Sequence, residues 1–154
     1  MNTKLLVGNV KETINDFLEK ITPEKPIGFV SYDLDYYSST KDALKILSGV
    51  DSQKYLPITY ICLDDINLTS HYSYSGELLA VNEFNKENQL RKIEYHKFLE
   101  NGRIFRRATW IKQIYFLHVL DHPVRHDVKL SERKRYIKNP YLKYSENKEE
   151  FSVK

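Results

Sequence analysis

Apolar residues recur along this chain in two rhythms: short unbroken runs, and stripes spaced three or four residues apart. Lys4 to Gly8 reads as a short strand, and Asn9 stands where a helix cap is wanted. Val10, Ile14, Phe17, Leu18 and Ile21 then form one helical stripe that ends before Pro23. Pro26 opens a strand from Ile27 to Tyr32. The next helix is expected to be capped by Ser38 or Ser39, to bury Ala43, Leu44 and Leu47, and to stop at Gly49. Pro57 opens a second strand, Ile58 to Leu63, whose continuous apolar run suits a central strand buried on both faces. A polar, tyrosine-bearing loop from Asn67 to Ser75 leads into a helix from Gly76 to Glu87, with Leu78, Val81 and Phe84 inward. Leu90 to Phe98 and Lys112 to Leu120 predict an antiparallel hairpin. Strands alternating with helices predict an α/β fold with a mostly parallel sheet, over residues 1–128. Past Lys129 the periodicity fades, and residues 129–154 read as a basic, Tyr-rich extension.

Composition narrows this picture. A chain of 154 residues with 41% hydrophobic content suits one domain with a single core rather than a disordered protein. No run approaches the roughly 20 apolar residues that span a bilayer, and Met1 to Lys4 leads straight into a strand rather than a signal sequence, so a cytoplasmic protein with no membrane partner is expected. The single cysteine, Cys62, lies in an apolar run and reads as a buried structural thiol. The net charge of +3 is unevenly placed: Arg125 to Lys143 holds seven cations against Asp127 and Glu132. Tyr136, Tyr141 and Tyr144 interleave them, a pattern that could serve nucleic acid, but so small a net charge favours a solvated tail and argues against a nucleic-acid partner.

The chemistry-bearing residues sit at strand ends. The first strand runs into Asp33 and Asp35, the second into Asp64 and Asp65. Open α/β sheets bind ligands beyond the carboxyl ends of their strands, and a hard divalent cation is the simplest partner for clustered carboxylates. The competing reading is that these acids cap helices and end strands. His71, in the loop after Asp65, is placed to touch a substrate, although an exposed loop histidine is as natural. His118, His122 and His126 have the spacing of a helical zinc site, but a strand pattern and Pro123 argue for a strand end and loop instead. Tyr36 and Tyr37 follow the acidic pair, and as neighbours on a turn only one can face the site. Trp110 with Arg106 and Arg107 reads as a core-edge anchor beside solvated cations.

Residues 31–65 resemble the macrocin O-methyltransferase family, a branch of the class I S-adenosylmethionine-dependent methyltransferases. The matching features are the apolar strand, Asp33-x-Asp35-x-Tyr37-x-Ser39-Thr40, the helix with Asp42-Ala43-Leu44, and the strand ending Asp64-Asp65. Leu5 to Ile14 and Ala80 to Phe84 extend the resemblance over about the first two thirds of the chain. It implies a Rossmann-like fold closed by a C-terminal antiparallel hairpin, with Asp33, Asp64 and Asp65 as ligands of a divalent cation, Mg²⁺ above others. Asp35 would be the base toward an acceptor hydroxyl on a sugar or natural product, and His71 a further site residue. One departure stands out. The five glycines, Gly8, Gly28, Gly49, Gly76 and Gly102, are scattered singly, so the Gly-rich turn on which the family's cofactor rests is absent. The chain therefore reads as the C-terminal half of the domain, lacking the N-terminal cofactor-binding strands and inactive alone, with S-adenosylmethionine bound only where that half is supplied. A first sheet strand left without its neighbour implies a homodimer, or Lys4 to Gly8 moving in to pair with Ile27 to Tyr32. The alternative function is a non-catalytic interaction domain that binds a protein or nucleic acid through its basic C-terminal segment.

Overall fold

A computed structural model describes residues 3–67, 72–102 and 108–127. His71, Arg106, Arg107 and the extension 129–154 lie outside the described residues. The elements run α1 (Val10–Leu18), β1 (Ile27–Tyr32), α2 (Tyr37–Ala43), β2 (Tyr55–Leu63), α3 (Gly76–Glu87), β3 (Arg91–Tyr95) and β4 (Ile114–Val119), with short helical turns between them. The four strands form one mixed sheet in the order β1-β2-β4-β3. Only β1 and β2 are parallel, and β4 runs antiparallel to both β2 and β3. The sheet is therefore less parallel than the alternation of elements predicts. The expected C-terminal hairpin is present. No helix among the described residues is long and apolar enough to cross a membrane.

Asn9 caps α1 as expected, its side chain accepting from Lys11 N at 3.0 Å. The helix stops at Leu18, so Ile21, though buried, follows it in a turn. Lys4 to Gly8 does not form a strand, and Leu5, Leu6 and Val7 are exposed. Three apolar residues with no partner strand give neither a ladder nor a face to bury. At α2 the cap position is Tyr36, extended at φ −113° and ψ 138°, rather than Ser38 or Ser39, which fall inside the helix. The buried hydroxyl of Thr40 donates instead to Tyr36 O at 3.1 Å, which fixes that first turn. The helix then tightens through Leu44–Leu47, burying Ala43, Leu44 and Leu47 as expected.

β2 begins at Tyr55, two residues before Pro57, and its pairing with β1 jumps from Ile27↔Tyr55 to Phe29↔Tyr60. Pro57 has no N–H to give a ladder, so the irregularity falls beside it. Thr59, fully buried, donates its hydroxyl to Ile27 O at 3.1 Å within the interrupted stretch. The core lies on one side of the sheet, where Ile61, Leu63, Leu117 and Val119 meet Leu44, Leu47, Val81 and Phe84. The other side is open among the described residues. Leu56, Ile58 and Tyr60 of β2 and Phe29 of β1 are exposed, so β2 is central but covered on one face only. Tyr60, Phe116 and His96 cluster on that open side, Tyr60 edge-on to Phe116 and His96 tilted against both.

Gly49 is needed for proximity rather than for its backbone angle. A Cβ there would stand 2.4 Å from the Tyr55 hydroxyl, which accepts from Gly49 N at 2.9 Å and donates to Ile46 O at 2.7 Å. Gly49→Ala should destabilise the protein by about 1–3 kcal/mol in urea melts, and the penalty should shrink in a Tyr55→Phe background. Equal penalties in both backgrounds would show that this contact does not fix the turn.

Candidate functional site

Parallel pairing in the register Tyr32↔Leu63 brings the carboxyl ends of β1 and β2 side by side. The pairing continues one residue past the strands, with Asp64 N donating to Tyr32 O at 3.1 Å. Asp33 and Asp64 thus leave the sheet as neighbours, both exposed. Asp64 is held by the Gln113 amide, which donates to its carboxylate at 3.0 Å and also to its backbone carbonyl. Asp65 is half-buried and opens a tight turn, Asp65–Asn67, anchored by the buried Ile66. Asp35 is exposed in the turn between β1 and α2.

Of the two tyrosines, Tyr37 is the one held inward. It packs against the core and donates to Glu83 Oε2 at 2.6 Å, an oxygen that Lys41 Nζ also reaches at 2.7 Å. That hydrogen bond with Glu83 raises the Lys41 ammonium's pKa above its ordinary value. Tyr36 is exposed beside Asp35. The Cys62 thiol, half-buried next to the site, is pushed upward by burial.

The residue missed by sequence reasoning is Glu77. It is the second residue of α3, entered through Gly76 at φ +57°, a left-handed conformation that glycine adopts without strain. Its side chain is 0% exposed. One carboxylate oxygen, Oε2, accepts from Asp65 N at 3.2 Å, and the other, Oε1, is buried with no hydrogen-bond partner among the described residues. Burial lifts its pKa to about 7, opposed by the hydrogen bond from Asp65 and reinforced by the charges of Asp65, Asp64 and Asp33. Four acids therefore feel one another at this edge, and the deepest of them keeps its proton to a higher pH than an exposed carboxylate would. A signal for it existed. Glu77 shares the i, i+3, i+4, i+7 stripe of Ala80, Val81 and Phe84, an inward position filled by an acid.

Among the described residues no three His, Cys, Asp or Glu side chains stand close enough together to hold a metal ion. Asp33, Asp64 and Asp65 are thus neighbours without forming a ligand shell. His118, His122 and His126 do not assemble either. His118 projects from β4, His122 caps the turn Pro123–His126 by accepting from Val124 N, and His126 contacts Leu120 O. Trp110 is partly exposed on a short turn.

The folded protein retains the Glu77 proton while the unfolded chain releases it, so stability should fall as pH rises from about 4.5 to about 7, by of the order of 3 kcal/mol at most. Glu77→Gln should remove this part of the dependence. Urea melts of both proteins between pH 4.5 and 7.5 check it, and parallel curves would show that Glu77 titrates normally.

Comparison with family models, with curated proteins and with solved structures gives no match to this chain.

Proposed function

We propose that the chain is a methyltransferase-like protein of the metal-dependent O-methyltransferase kind, whose acceptor class is a sugar or natural-product hydroxyl and which transfers no methyl group by itself. The observation that carries this reading is the pair of parallel strand ends bearing Asp33 and Asp64-Asp65, set side by side over the buried carboxyl of Glu77. The α/β order, the helix α2 crossing between β1 and β2, and the terminal antiparallel hairpin support it.

In this reading Asp33, Asp64 and Asp65 would hold the cation. Their hard carboxylate oxygens suit Mg²⁺, and a bound cation would orient the acceptor's oxygens and lower the pKa of its hydroxyl. The ligand set is not gathered in the structure, so the exposed Asp33 would have to turn toward Asp64, which Gln113 holds, and Asp65. The chain's own contribution is more direct. Gln113 fixes Asp64 and the Glu77–Asp65 hydrogen bond fixes the turn, while Asp35, exposed in its loop, would be the base that takes a proton from an acceptor. Glu77, neutral below about pH 7, limits the repulsion among the strand-end acids there.

The cation is tested by calorimetry with Mg²⁺. Wild type should give a saturable heat and Asp64→Asn none; equal heats would remove the cation from the reading. The cofactor is tested separately by equilibrium dialysis with labelled S-adenosylmethionine. Because no Gly-rich turn is present, the chain should bind it weakly or not at all. Micromolar binding by the isolated chain would contradict the proposal that it cannot act alone.

A further inference from the structure

Among the described residues β1 ends the sheet, so one row of its peptide groups faces away from β2. Its six residues, Ile-Gly-Phe-Val-Ser-Tyr, contain no charge and no proline, the devices by which proteins usually blunt an edge. Beside this edge lie two hollows of about 500 and 410 Å³. Both are lined by Phe17, Val30, Ser31 and Ile46, so they form one apolar groove between α1 and the strand, running from Lys25 to Leu34. A groove of that shape, bounded by free backbone, accepts an extended strand.

We propose that its occupant is β1 of a second copy of this chain, paired antiparallel about a two-fold axis normal to the sheet. The charges at the two ends of the strand select this partner. Lys25 precedes β1 and Asp33 follows it, both exposed. Antiparallel pairing centred on Phe29 sets each copy's Lys25 opposite the other's Asp33, since both lie four residues from the centre. A parallel pairing in the same register would instead oppose like charges. The axis makes the interface isologous and keeps both open aromatic faces on the same side, joining two four-stranded sheets edge to edge. An edge about 20 Å long buries little area, so the dimer is a weak one that dissociates in the micromolar range. The proposal does not depend on the methyl-transfer reading.

Light scattering across a dilution series of the full chain should show a monomer–dimer equilibrium. Lys25→Glu and Asp33→Lys should each weaken it by roughly tenfold, and the double exchange should restore it. Circular dichroism on each variant verifies that the fold is kept. In a Cys62→Ser background, Phe29→Cys should form a disulfide with its own counterpart under mild oxidation, because the axis passes beside that residue. A wild type that stays monomeric at every concentration would overturn the proposal. So would a dimer indifferent to the charge exchanges and lacking the Phe29→Cys crosslink, which would mean that the copies meet elsewhere.

Discussion

The structure depends on β2 being paired on both sides. With β1 on one side and β4 on the other, it joins the parallel and antiparallel halves of the sheet, and its inward residues Tyr55, Thr59, Ile61 and Leu63 are all buried. Its pairing with β1 places Asp33 beside Asp64, and its pairing with β4 brings Gln113, the residue just before β4, to the Asp64 carboxylate. The acidic edge is thus a product of strand register. A slip of one residue would send Ile61 and Leu63 to the open face and move Asp64 away from Asp33.

The same arrangement leaves the fold one-sided. Helices α1, α2 and α3 pack on the inner face, while the outer face presents Phe29, Ile58, Tyr60 and Phe116 with no layer over them among the described residues. An apolar sheet face and an uncharged edge on the same molecule are unusual for an isolated domain, because both lower its free energy when covered. The rigid part of the candidate site belongs to the covered side. Glu77 is buried against the core through α3, whereas Asp33 and Asp35 lie toward solvent. The deep acid is held in the core, and Asp33 and Asp35 face solvent.

Much of this was legible in the sequence where local chemistry and tertiary packing agree. β1 has the expected bounds, Asn9 caps α1, and the acidic pairs follow two adjacent strands. The misreadings have particular causes. Lys4 to Gly8 has the composition of a strand but no neighbour to pair with among the described residues. Ser38 and Ser39 have the right side chains for a cap, yet the backbone turns into α2 one residue after the extended Tyr36. The apolar run of β2 was expected to be covered twice, but coverage depends on what other elements are present, which a run of residues does not encode. Glu77 escaped notice because an acid in a helix is ordinarily a surface residue, and only its place on the buried stripe marks it as inward.

The central claim is the in-register union of β1 with β2, from which the acidic edge follows. Nuclear Overhauser contacts in an isotopically labelled sample test it most directly. The account predicts contacts of the Asp64 amide with Tyr32, and of Cys62 with Ile114, within one chain. Contacts displaced by one residue along β2, or an Asp64 amide with no proximity to Tyr32, would contradict it.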